Sequence, residues 1–160
     1  MLRIFTCGRW NRRQSMNLRH LKSQLIVDEG ISLKTYRDSL GKLTVGIGHL
    51  VLLQDKLRVG DTITKRRCDK LFLEDIGIAT RSCKKVFCNF YELPDDVQEI
   101  IANMIFNLGE KNFRGFVNLI DAINKWDWKD AAGHMKSSLW FKQVGLRARR
   151  LCERMMKVVC

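Results

Sequence analysis

The sequence predicts an α+β fold: a small β-hairpin or sheet lobe and a larger helical lobe, joined by a long helix. Three observations lead there. The β-prone pairs Thr35-Tyr36 and Thr44-Val45 lie in one stretch, residues 31–50, around the turn-like Asp38-Ser39-Leu40-Gly41. One helical pattern precedes that stretch, and from Thr64 onward only helical patterns follow. The chain has 160 residues and is 46% apolar, enough for one compact domain with a real core and incompatible with wholesale disorder.

The elements can be taken in order. Leu18, Leu21, Leu25 and Ile26 recur at helical spacing, so a helix is expected from Asn17 to Glu29, stopped by Gly30. The hairpin comes next, and Gly60-Asp61 mark a further turn. Thr64 reads as the N-cap of a long helix that runs through Leu71, Phe72, Ile76 and Ala79 to Val86. Leu93-Pro94-Asp95-Asp96 is another start signal, with proline in the first turn. The stripe that follows, Val97, Ile100, Ile101, Met104, Ile105 and Leu108, is wide enough for a central core helix, and Gly109 is expected to end it. Shorter helices are expected from Phe113 to Ile123, from Asp127 to Ser137 and from Val144 to Met156.

The net charge is +12, but it is unevenly spread. Residues 1–27 hold six Lys or Arg and no acid, and residues 142–160 hold six against Glu153 alone. Residues 28–141 carry 17 bases and 16 acids. The excess is therefore terminal, which argues against a nucleic-acid binder, and no nucleic-acid partner is expected. No apolar run approaches the roughly 20 residues of a membrane span. The basic N-terminus lacks the apolar core of a Sec signal, so the expectation is a chain made in the cytoplasm without one. Residues 1–16 read as a basic, poorly ordered extension and residues 17–160 as a single domain, with Met16 as an alternative start. Six cysteines show neither a CxxC pair nor metal-ligand spacing with His20, His49 or His134. No metal and no cofactor is expected, and the thiols read as reduced.

Chemistry centres on two carboxylates. Glu29 falls at the C-terminal end of its helix, on the side of Leu18, Leu21 and Leu25. Both settings disfavour the charged form and suit a proton donor. Asp38 follows nine residues later in the hairpin turn, where an aspartate ordinarily bonds its own backbone. A helix end and a hairpin can nevertheless bring two carboxyls to opposite sides of a cleft, one apolar and one solvated, the division of labour that cleaves acetals. In Thr44-Val45-Gly46-Ile47-Gly48-His49, strand alternation would put Thr44, Gly46 and Gly48 on one face, leaving room for a ligand near the backbone. No third glycine or helix start follows, so a dinucleotide site is excluded.

Glu29-Gly30, Tyr36-Arg37-Asp38 and Thr44 through Leu50 together resemble the catalytic segment of the phage-type lysozymes, glycoside hydrolase family 24. The similarity continues through Ile63-Thr64-Lys65, Lys70-Leu71-Phe72, Asp75, Asn103 to Glu110, Gly115-Phe116, Asp130-Ala131-Ala132, Ser138, Trp140-Phe141, Gln143 and Arg147-Ala148. It covers residues 17 to about 156. The resemblance implies a lysozyme-like two-lobed fold and a monomeric muramidase acting on bacterial cell-wall peptidoglycan, in the periplasm or outside the cell. The bond cut would be the β-1,4 linkage between N-acetylmuramic acid and N-acetylglucosamine. It implies Glu29 as general acid, Asp38 as second carboxylate and Thr44 as the hydroxyl that helps place water. Arg147 would lie close to the acid, and His49 and Asp75 would form an ion pair. Leu50, Asn103, Phe106, Asn107, His134 and Ser138 match positions that line the saccharide cleft, although His134 and Leu119 differ in type from the family's residues there. The stretch from His49 to Thr64 is short for the family, which predicts a smaller flap, and residues 1–16 have no counterpart. The basic termini would hold the enzyme on anionic wall or outer-surface polymers. The contrasting expectation is a cationic membrane-active or wall-binding protein on the same fold, without catalysis.

Overall fold

The computed structural model describes residues 16–159. Helix α1 (Leu18–Glu29) leads into strands β1 (Ser32–Arg37), β2 (Leu43–Gly46) and β3 (His49–Leu50). Helices α2 (Lys65–Val86), α3 (Asp95–Phe113), α4 (Val117–Asn124), α5 (Trp128–Ser137), α6 (Leu139–Val144) and α7 (Leu146–Met156) follow, with short 3₁₀ turns at Leu53–Asp55 and Phe90–Glu92.

Local chemistry explains the boundaries. The Asn17 side chain accepts from the His20 N–H at 3.1 Å and starts α1. Gly30 ends it at φ 73°, a conformation that costs a residue with a Cβ, and its N–H returns to the Ile26 carbonyl. Thr64 caps α2 by accepting from the Arg67 N–H at 3.2 Å. The long helix packs on β2 and β3 at one end and along α3, so it joins the small lobe to the large one. Every residue of α3 from Val97 to Ile105 is buried, as a helix at the centre of a bundle must be. Around it α7 packs on α3, α5 and α6, and α4 packs on α5.

The sheet is antiparallel in the order β1-β2-β3, with Tyr36 opposite Thr44 and Thr44 opposite Leu50. Several expectations need correction. The strand alternation stops at Gly46, because Ile47 and Gly48 form the turn into β3, a third strand the sequence pattern did not predict. Helix α6 was not expected either, since its six residues are too few for a readable stripe. Helices α4 and α7 begin later than predicted, and Gly109 (φ 76°) breaks α3 without ending it at that point. Met16, assigned to the extension, is buried in the core at 7% exposure. Residues 1–15 of the expected extension lie outside the described residues. Cys68, Cys83, Cys88 and Cys152 are free thiols, and burial pushes the Cys83 thiol up to about 12.

Candidate active site

Glu29 is the last residue of α1, and its side chain is 25% exposed. It borders an open cleft of 390 Å³ with Gly30, Ile31, Ser32 and Tyr36. The β2–β3 turn closes on it from the other side. A Cβ on Gly48 would lie 3.3 Å from both Cβ and Cγ of Glu29, so only glycine lets the turn pack this close to the acid.

The carboxylate is anchored from across the molecule. Arg147, buried on α7, donates from Nη1 to Glu29 Oε1 at 2.5 Å. Its Nε donates to Asn103 Oδ1 at 2.8 Å and its Nη2 to the Asn103 carbonyl at 3.2 Å. Asn103 Nδ2 in turn donates to Asp28 Oδ2 at 3.0 Å. Asp28 has only 1% of its side chain exposed and also accepts from Arg150, while Arg147 Nε stands 3.4 Å from it. Two guanidinium groups and two carboxylates therefore neutralise one another at the junction of α1, α3 and α7. That balance is what makes a buried arginine beside the acid tolerable. It also corrects one expectation. Asn103 does not line a cleft: it is fully buried, and both ends of its amide are used inside the protein.

Asp38 sits in the β1–β2 turn, where its Oδ1 accepts from the N–H groups of Leu40 at 2.9 Å and Lys42 at 2.8 Å. Thr44, in the middle strand, is buried, and its hydroxyl donates to the Lys42 carbonyl at 3.3 Å. Tyr36, on β1, borders the same cleft as Glu29. Partial burial first, then the negative charges of Glu29 and Asp38, hold its phenol above the usual range. Asp38 lies two residues beyond Tyr36 and is not among the residues lining that cleft.

The remaining predicted residues divide. Leu50 is 44% exposed on β3, and Phe106 is half-buried against the core. Asn107 is exposed, and its Oδ1 accepts from Trp140 Nε1 at 3.1 Å. His134 and Ser138 border a separate hollow of 230 Å³ with Gly115, Phe116 and Leu119. The Ser138 hydroxyl caps α6, accepting from the Phe141 N–H and donating to the Met135 carbonyl. His134 stands 3.3 Å from Asp130. His49 Nδ1 and Asp75 Oδ2 are 2.8 Å apart, and Asp55 Oδ2 approaches His49 Nε2 at 3.2 Å. Among the described residues, no group of three His, Cys, Asp or Glu is placed to hold a metal ion.

Sequence reasoning missed Asp28, Arg150 and Asp55. Arg147 and Arg150, three apart on one helix, were a readable signal of a shared acidic target. Nothing in the spacing marked Asp55.

The chain can be compared with known proteins at this point. The family model described as phage lysozyme matches residues 27–155. Probable T4-type lysozyme 1 of Dictyostelium discoideum is 29% identical over 153 residues, covering 82% of this chain and 90% of that protein. Probable T4-type lysozyme 2 of the same organism shows the same identity and coverage. A SAR-endolysin of Bacteriophage PS119 is 30% identical over 129 residues, covering 79% of this chain and 74% of that protein.

Proposed function

The chain belongs to the phage lysozyme family and is a glycosidase of the lysozyme type, and from that premise we propose that it lyses bacteria by cutting the β-1,4 bond between N-acetylmuramic acid and N-acetylglucosamine, with Glu29 as general acid. The observation that carries the reading is the setting of Glu29: a quarter exposed at a helix end, open to a cleft, and gripped at 2.5 Å by the buried Arg147.

In this reading Glu29 gives its proton to the glycosidic oxygen as the C1–O bond breaks. Arg147 pairs with the carboxylate left behind once that proton has gone. Asp38 spends Oδ1 on its turn, and its other carboxylate oxygen accepts from the water that attacks the developing oxocarbenium ion. The Thr44 hydroxyl helps place that water. Inversion would need the two carboxyls about 6.5–9.5 Å apart. Leu50, Phe106, Asn107, His134 and Ser138 are proposed to contact the glycan or its peptides. The enzyme acts as a monomer without a cofactor, and it reaches peptidoglycan from the periplasm or from outside. The basic termini, including Arg3, Arg9, Arg12 and Arg13 outside the described residues, add attraction to anionic wall polymers.

Clearance of purified peptidoglycan with reducing-end analysis tests the proposal. Glu29→Gln should lower turnover by about 10²–10⁴-fold, the share of a general acid. Absence of clearance by the wild type, or undiminished killing by Glu29→Gln, would favour the cationic, non-catalytic reading.

A further inference from the structure

Among the described residues, Tyr36 is the one aromatic side chain bordering the Glu29 cleft, and its place follows from strand register. Residues directly opposite one another in an antiparallel sheet share a face. Tyr36 pairs with Thr44 and Thr44 pairs with Leu50, so the three form a row across the sheet. The middle member is buried at 5% exposure, while the outer two stand 37% and 44% exposed. The row thus offers a ring at one end and a leucine at the other, with the Thr44 hydroxyl between them.

The chemistry of the position is distinctive. Glu29 and Asp38 offer carboxylates, and both are near enough to act on the phenol through their charge. A phenol beside two anions keeps its proton, so it stays a neutral donor throughout the working range of a carboxylate pair. A saccharide presents what such a side chain suits: an apolar C–H face for the ring, and hydroxyl and acetamido oxygens that accept a hydrogen bond. The other exposed large aromatics with ring partners do not share this placement. Trp126 packs against Trp128 at the α4–α5 turn, and Tyr91 lies beside Phe90 and Lys84.

We propose that Tyr36 is a saccharide-binding residue of this cleft, its ring supporting one sugar and its hydroxyl donating to that sugar beside Glu29. The assignment rests on the muramidase reading and adds to it a donor that neither carboxylate supplies.

The full chain carrying Tyr36→Phe or Tyr36→Leu would be assayed on soluble peptidoglycan oligosaccharides. Tyr36→Phe should lower kcat/KM by about tenfold, the scale of one hydrogen bond to substrate, with most of the change in KM. Tyr36→Leu should lose more, again mainly in KM, because the ring goes as well. The pH profile of kcat should keep its shape, since the phenol holds its proton across that range. Oligosaccharide binding measured calorimetrically on Glu29→Gln, with and without Tyr36→Phe, should show the same weakening without turnover. Unchanged KM in Tyr36→Phe together with equal binding in the Glu29→Gln pair would overturn the proposal, as would a shifted acid limb, which would mean that Tyr36 acts through Glu29. An inert wild type would instead sink the muramidase reading itself, so the two failures are distinguishable.

Discussion

At the scale of residues, the proposed reaction asks two roles of one carboxylate, that of Asp38. Its Oδ1 closes the β1–β2 turn through the Leu40 and Lys42 amides, which is the ordinary behaviour of a turn aspartate. Asparagine retains that acceptor and loses only the charge. Asp38→Asn should therefore keep the melting temperature of the wild type while lowering clearance of peptidoglycan by about 10²-fold or more. A variant that melts early would assign the loss to the turn rather than to water placement. Glu29 and Asp38 were legible as candidates because their spacing and local setting lie within one short stretch. Asn103 was misread for the converse reason: its helix face depends on what packs around α3, and the wide apolar stripe left no polar face to mark inside from outside.

At the scale of elements, strand β3 and α2 are pinned together by His49. The imidazole is flanked by Asp75 at 2.8 Å and Asp55 at 3.2 Å, with side-chain exposures of 7%, 21% and 10% for His49, Asp75 and Asp55. The bond to Asp75 raises the His49 pKa most, burial opposes it, and the bond to Asp55 raises it further. A raised folded value means stabilisation that is complete below the unfolded value, about 6.5, and fades as pH rises through the folded one. His49→Asn should thus lower the melting temperature most in mild acid, near about pH 5, and least in alkali, near about pH 9. Equal shifts at both ends, followed by thermal melts, would show that the charge contributes nothing. Since Gly48, the residue before His49, packs against Glu29, this clamp also bears on the acid.

At the scale of the whole molecule, the near balance of residues 28–141 hides a second division. Residues 31–67, the small lobe and its approach to α2, hold eight Lys or Arg against three Asp. Asp55 is nearly buried beside His49, so its charge is turned inward. The basic excess of the sequence is thus shared between the termini and the small lobe, although Arg147, Arg150 and Arg154 of the C-terminal stretch are spent on Glu29, Asp28, Asp96 and Glu99. Neutralising Arg3, Arg9, Arg12 and Arg13 should weaken salt-sensitive adsorption to whole cell wall and leave turnover of soluble oligosaccharides unchanged. Sedimentation with wall fragments at low and high salt, beside the soluble assay, checks both halves. Loss of soluble turnover would mean that the arm takes part in catalysis.

The sequence by itself determined the α+β class, the positions of α1, α2 and α5, the start of α3 after Pro94, the Thr64 cap, and the order of Glu29, Asp38 and Thr44. These depend on spacings of a few residues, and neighbouring backbone groups impose them whatever lies farther off. The two-residue strand β3 and the six-residue helix α6 escaped because neither is long enough to express a period. Tertiary structure alone decided what the acid touches. Arg147 reaches Glu29 across 118 positions of chain and Arg150 reaches Asp28 across 122. Those contacts exist because α1 and α7 converge on α3, where buried charges must find opposite charges, and no local spacing encodes that convergence.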